Sequence, residues 1–199
     1  MESQSVWKKY SNTEIDEVII FGEDYRSFLS VAKTEREVVD YIINEIEEKG
    51  YRDFAKIFKE KQTLKPGDKV YFCGMNKTLL MFDIGKTPIE NGMVILGAHI
   101  DSPRLDLKQN PLYEDSDLAY LDTHYYGGIK KYQWVTLPLA LHGVIAKKDG
   151  TSVIVNLGEE KRDPVFFISD LLIHLAQDQM EKKGAKVVEG EALDLIVGN

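Results

Sequence analysis

One apolar run, Met93–Ala98, constrains the fold more than any other part of the sequence, because a histidine and an aspartate follow it directly. Side chains alternate across a strand, so His99 and Asp101 would project to the same side while Ile100 points into a core. Proline lacks an amide donor and fixes φ, so Pro103 would end the pairing. We therefore predict a buried strand that carries a histidine–aspartate pair at its end.

Such a pair can form one edge of a zinc site. An imidazole supplies a ligand, and a nearby carboxylate orients that imidazole or a neighbouring ligand. The same short pattern also occurs where a strand runs into a turn, in which case Asp101 caps the turn and His99 is half-buried. Spacing alone leaves both interpretations open.

Charge and composition exclude several classes of protein. The net charge is -8, and no block of lysine or arginine offers a footprint for nucleic acid or an anionic membrane. The single Cys73 excludes an internal disulfide framework and fits a reducing compartment. No apolar run approaches membrane-spanning length, and the polar segment Met1–Lys9 lacks the apolar core of a signal peptide. These features predict a cytoplasmic protein.

The first half of the chain has helix and hairpin signals. Acidic and apolar residues recur at helical spacing from Asn12 to Val31. Thr34 and Glu37 form a capping box before a second amphipathic helix, and Gly50 would end it. Two further runs predict paired strands, Lys69–Cys73 and Thr78–Phe82.

The second half has a β-rich pattern. The polar stretch from Lys108 to Thr123 is typical of a loop, whereas two apolar runs predict a hairpin, Gln133–Ile145 and Thr151–Leu157. A helix is expected from Ser169 to Lys183, and a strand from Leu193 to Val197. We place a boundary near Leu107, between an α/β part at 1–107 and a mostly β part at 108–199.

Three blocks of sequence carry a family resemblance: Gly97–Asp106, Pro111–Tyr113 and Tyr125–Trp134. With them the chain resembles the aspartyl aminopeptidase family of zinc metallopeptidases, most of all its bacterial branch, from the first helix onward. The resemblance implies an α/β zinc-aminopeptidase sandwich, here incomplete, with an inserted β-rich dimerisation domain. Residues 1–107 would be the N-terminal part of the peptidase domain, and 108–199 the start of the insertion.

The resemblance also assigns roles to three residues. His99 matches the first zinc-ligand histidine, and Asp101 matches the aspartate that supports the catalytic metal centre. His174 lies in an Ile-His-Leu context that the family counts with its zinc-site histidines, although it can instead contact substrate in a partner's active site. Taken alone, a histidine between leucine and isoleucine on an amphipathic helix is usually a core or interface residue.

Other motifs that the family needs have no match in the chain. The bridging aspartate, the paired glutamates with the catalytic base and the last histidine are absent, and Glu159-Glu160 has the character of a solvated loop. The chain therefore resembles the N-terminal portion of a longer enzyme, and alone it is expected to be inactive. The complete enzyme would bind two Zn2+ per active site, cleave peptides, and form dimers within a larger homo-oligomer.

The sequence alone leaves two questions open. The alternative to a peptidase is a non-catalytic assembly module that keeps the fold without the site. Lys130 and Lys131 can meet a substrate carboxylate or simply face solvent.

Overall fold

The computed structural model describes residues 5–199, so the start of the polar Met1–Lys9 segment lies outside the described residues. The chain divides into two compact units, Met1–Asp101 and Ser102–Asn199. The boundary predicted near Leu107 falls inside a strand of the second unit. The assignment of the two parts to a peptidase domain and a dimerisation domain stays a prediction.

Helices at the start of the first unit follow their local signals. Helix α1 spans Asn12–Val31, α2 spans Glu35–Glu48 and the short α3 spans Phe54–Lys59. Both long helices begin with a capping box, and the one predicted at Thr34 and Glu37 is confirmed. Each box satisfies amide groups that the first helical turn leaves without partners.

A small sheet completes the first unit. Strand β1, Arg52–Asp53, lies parallel to β2, Lys69–Gly74, and β2 pairs antiparallel with β3, Thr78–Asp83. The predicted hairpin is confirmed, and its turn places Met75 and Asn76 at positive φ. The buried residues of this unit include Val39 and Ile46 on α2, Ile57 on α3, and Val70 and Tyr71 on β2.

The predicted strand at Met93–Ala98 is wrong. The segment forms no strand, and Leu96 is 93% exposed where a buried strand residue was expected. A strand needs partners for its N–H and C=O groups, and no strand of the described chain pairs with this segment. Its apolar composition alone does not bury it.

The second unit begins with a long hairpin where a loop was predicted. Strand β4, Arg104–Asp115, pairs antiparallel with β5, Leu118–Tyr126, so the loop prediction for Lys108–Thr123 is wrong. Ser116 and Asp117 both adopt positive φ and close a two-residue turn that matches strand twist. Several polar residues that suggested a loop, Gln109, Asn110, Glu114 and Asp115, are exposed along β4.

Two further β elements agree with prediction. Strands β6, Leu141–Ala146, and β7, Ser152–Leu157, form the expected hairpin, although β6 begins later than the predicted Gln133. Strand β8, Leu195–Gly198, adds to β5, giving the order β4-β5-β8. The core of the unit contains these buried residues: Val135, Phe166, Ile168, Val188, Leu193 and Leu195.

The helix predicted from Ser169 to Lys183 is wrong over most of its length. Only α4, Gln177–Met180, is helical. The leucines and isoleucine from Leu171 to Leu175 are exposed, so their apolar stripe has no surface to pack against. Short helices gain most of their stability from such packing, and this one lacks it. No helix among residues 5–199 is long and apolar enough to cross a membrane.

Candidate metal site

His99 and Asp101 contact each other at the end of the first unit. The His99 Nδ1 atom lies 3.0 Å from the Asp101 backbone oxygen and 3.2 Å from Asp101 Oδ1. Both neighbours are acceptors, so the proton of a neutral imidazole belongs on Nδ1. The Nε2 lone pair is then available to a metal, and the His99 side chain is 84% exposed.

The contact forms although residues 99–101 belong to no strand. The two side chains were predicted to lie on the same side, and they are in contact although the predicted strand is absent. The arrangement matches the second interaction that metal-bound histidines usually make through their other ring nitrogen.

These two side chains have the donor types that zinc takes, but they form only part of a site. A structural or catalytic zinc ion has three or four protein ligands. Within residues 5–199, no group of three or more histidine, cysteine, aspartate or glutamate side chains is arranged to hold a metal. The assignment of His99 as a zinc ligand and of Asp101 as its supporting carboxylate stays a prediction.

His174 lies in the second unit, on a turn and not on the helix that was predicted around it. The Leu175 amide donates to the Leu172 carbonyl at 2.8 Å, which closes a single turn. His174 is exposed, and so are the apolar residues on both sides of it. Its role as a zinc ligand or substrate contact stays a prediction.

The Glu159-Glu160 pair lies in a loop, where it was expected. Its first member meets a histidine: His142 Nε2 lies 2.9 Å from Glu159 Oε1, and the His142 side chain is largely covered. Asp163 shapes this loop by accepting from the amides of Gly158 and Glu160, which lowers the pKa of the Asp163 carboxyl. These contacts account for the loop without a metal.

One polar face of the β4–β5 hairpin was missed by sequence reasoning. The Arg104 guanidinium lies over the Tyr126 ring at 4.1 Å, and its Nε donates to Asp106 at 2.7 Å. Further along, Lys108 meets Asp122 at 2.8 Å, and this contact does most to raise the pKa of the lysine. Alternation of charged and apolar residues from Arg104 to Lys108 was the signal that could have revealed it.

Comparison with known proteins identifies the family. The family described as "Aminopeptidase I zinc metalloprotease (M18)" matches residues 28–197 of this chain. A protein of Clostridium acetobutylicum described as a "probable M18 family aminopeptidase 1" is 58% identical over 198 residues, which cover 100% of this chain and 43% of that protein.

Solved structures agree. The M18 aminopeptidase of Thermotoga maritima matches with a TM-score of 0.86 and 40% identity, covering 100% of this chain and 42% of that one. The S. cerevisiae mApe1 dodecamer has a TM-score of 0.66 and 19% identity over 89% of this chain and 38% of that one, which shows the fold alone. The chain spans less than half the length of these relatives, and it belongs to the M18 family of zinc metalloproteases.

Proposed function

We propose that the protein represented by this chain is a zinc-dependent aminopeptidase, in which His99 binds a metal ion through Nε2. The observation that supports this most directly is the pair of contacts from His99 Nδ1 to Asp101. With its proton on Nδ1, the ring has its Nε2 lone pair available to coordinate a metal. A zinc ion held there would supply a metal-activated water as the nucleophile for hydrolysis of the first peptide bond.

In this proposal Asp101 is a positioning residue. Its backbone and side-chain oxygens hold the His99 ring in one orientation and one tautomer. The other metal ligands and the general base would come from sequence beyond the part that matches, since the chain spans only 43% of its C. acetobutylicum relative. Two zinc ions per site are part of the proposal.

His174 has two proposed roles, as a zinc ligand or as a contact to substrate in a partner's site. Its exposure and its apolar neighbours Ile173 and Leu175 favour a place at an interface.

Self-association is also proposed, from a related structure and from exposed apolar residues. The mApe1 protein of S. cerevisiae is a dodecamer, and the β6–β7 hairpin exposes Ile145 and Ile154. A cytoplasmic location is proposed from the single Cys73.

The test is zinc content and peptide turnover after the missing segment is restored. The 199-residue chain would be joined to the remaining segment of the C. acetobutylicum relative, and His99→Ala compared with His124→Ala. His124 is an exposed histidine on β5 outside the proposed site. We expect His99→Ala to abolish turnover and reduce bound zinc, with His124→Ala unaffected. Full zinc and turnover in His99→Ala would refute the assignment.

The same joined protein distinguishes a peptidase from a non-catalytic module. A folded protein that neither binds zinc through His99 nor turns over any aminoacyl substrate would favour a module that keeps the fold without the site. Mixing His99→Ala with His174→Ala subunits then tests the shared site, because a hybrid pair could hold one intact site. Recovered turnover would support a His174 that acts across an interface, and proven mixing without recovery would exclude it.

A further inference from the structure

A cleft in the second unit lies where β5 ends. Tyr126 leads into Gly127 and Gly128, and a 3-10 turn at Lys131–Gln133 follows. The cleft has a volume of about 470 Å³, and its lining consists of Tyr125, the segment 127–132, Gly184 and Ala185. Neither the histidines nor the proposed metal ligands line it.

The two glycines leave backbone donors within reach of a ligand. Gly127 has a φ of 77°, a conformation that side-chain-bearing residues rarely adopt, and a Cβ on Gly128 would meet nothing within 4 Å. Among the described residues, the amides of Gly128 and Ile129 donate to no backbone or side-chain acceptor. Unpaired amides next to glycine commonly bind anions.

Two adjacent lysines of the cleft have no carboxylate partner among the described residues. Lys108 is paired with Asp122 and Glu191, and Lys49 is paired with Glu45. Lys130 and Lys131 form no ion pair within residues 5–199, as is true of several other surface lysines, but here both line one cleft, and the Lys131 Nζ atom lies 5.9 Å from the centre of the Tyr125 ring. In a chain of net charge -8, two adjacent uncompensated cations make a local positive site.

We propose that the Gly127–Tyr132 cleft binds a carboxylate group of a peptide. The lysine ammonium groups would neutralise the anion, the backbone amides would donate to it, and the exposed rings of Tyr125 and Tyr132 would flank the adjoining peptide. That the ligand is a peptide rests on the proposed function. The carboxylate has two possible sources, the C-terminus or an acidic side chain.

The test is an NMR titration of the metal-free 199-residue chain with three peptides. Trialanine carries a C-terminal carboxylate, its amide carries none, and an amidated N-acetyl-Asp-Ala peptide carries only a side-chain carboxylate. We expect amide shifts at Gly127 and Gly128 with at least one of the two carboxylate peptides and none with trialanine amide. The peptide that binds identifies the source.

A double substitution tests the lysines. Lys130→Gln with Lys131→Gln should weaken carboxylate binding by about three- to tenfold, the range expected for two exposed ion pairs. Lys147→Gln with Lys148→Gln, at the β6–β7 turn, is the matched control and should change nothing. Lys131→Arg should retain binding, and the single Lys131→Gln serves if the double variant loses its dispersed spectrum.

Two results would overturn the proposal: equal binding of trialanine amide and trialanine, or full binding by the folded double variant. Absence of any shift with both carboxylate peptides would also overturn it. None of these measurements needs zinc or turnover, so failure of the cleft and failure of the His99 metal site are distinguishable.

Discussion

Two apolar segments, Met93–Ala98 and Leu193–Val197, were both predicted as strands, and their environments in the structure are opposite. The second overlaps β8, which pairs with β5, and its Leu193 lies in the core at 0% exposure. The first pairs with nothing in the described chain, and its Val94 is 90% exposed. Local pattern gives a tendency toward strand, and an available partner determines whether the strand forms.

Polar contacts also distinguish the two segments. The Thr123 hydroxyl donates to the Leu193 carbonyl at 2.6 Å, and the Thr123 amide donates to Asp194 at 3.0 Å. The Tyr113 hydroxyl donates to the other Asp194 oxygen at 2.8 Å. The tail is therefore held by side chains of both β4 and β5 as well as by strand pairing.

The largest effect is expected from shortening a leucine in each segment. Leu193→Ala should cost about 2–5 kcal/mol of unfolding free energy, because it leaves a cavity in a closed core. Leu96→Ala, at an exposed position, should change it by less than about 0.5 kcal/mol. Hydrogen exchange measures the loss, in the second unit for Leu193→Ala and in the first unit for Leu96→Ala. Equal effects at the two leucines would remove the distinction between the segments.

A smaller effect is expected from the threonine that anchors the tail. Thr123→Val keeps the shape but leaves the buried Leu193 carbonyl without its hydroxyl donor, which should cost about 1–3 kcal/mol. Thr123→Ser retains the hydroxyl and serves as the control. Chemical denaturation with tryptophan fluorescence gives the values. If the valine and serine variants are equally stable, the Thr123 hydroxyl contributes nothing to holding the tail.

The capping box of α2 depends only on nearby residues, so its loss gives a stability change with which the effects on the strands can be compared. Thr34→Ala removes the side chain that accepts from the Glu37 amide at the start of α2, and it should cost about 0.5–2 kcal/mol. Thr34→Ser should restore most of this. Circular dichroism during thermal unfolding is the measurement. No loss in the alanine variant would mean that packing, and not the cap, determines where α2 begins.

The smallest effect concerns alkaline pH. Burial, with the hydrogen bond to Asp194, raises the pKa of Tyr113 to about 12. This folded value exceeds the unfolded value of about 10. The stabilisation that the protonated Tyr113 hydroxyl gives to the folded state is therefore complete below pH 10 and is lost as pH rises through the folded value. The β8 amides should lose exchange protection over that window, and Tyr113→Phe should abolish the pH dependence. Identical alkaline profiles in the two proteins would contradict this account.

Sequence signals that act over a few residues predicted structure well. The capping box at Thr34 and the hairpin around Asn76 depend on nearest neighbours, and both are present. The His99–Asp101 contact was predictable for the same reason, since only two residues separate the side chains. Arg104 and Tyr126 are far apart in sequence, and no local pattern shows that strand register makes them neighbours.

The failures share one physical cause, which is dependence on a distant surface. The helix expected around His174 needed a surface for its apolar stripe, and the strand expected at Met93–Ala98 needed a neighbouring strand. The β4–β5 hairpin is the converse. Its polar residues suggested a loop, but the turn at Ser116 and Asp117 brings two chains into register and the ladder forms.

The exposed segment Met93–Ala98 has a consequence for how the chain behaves at high concentration. It contains no charge and no proline, includes the β-branched Val94 and Ile95, and has unpaired backbone groups. Short segments of this composition, when exposed, stack with copies of themselves into intermolecular sheets. Aggregation of the isolated chain would then start at this segment. The single substitution Leu96→Lys would place a charge in its middle and keep the chain in solution.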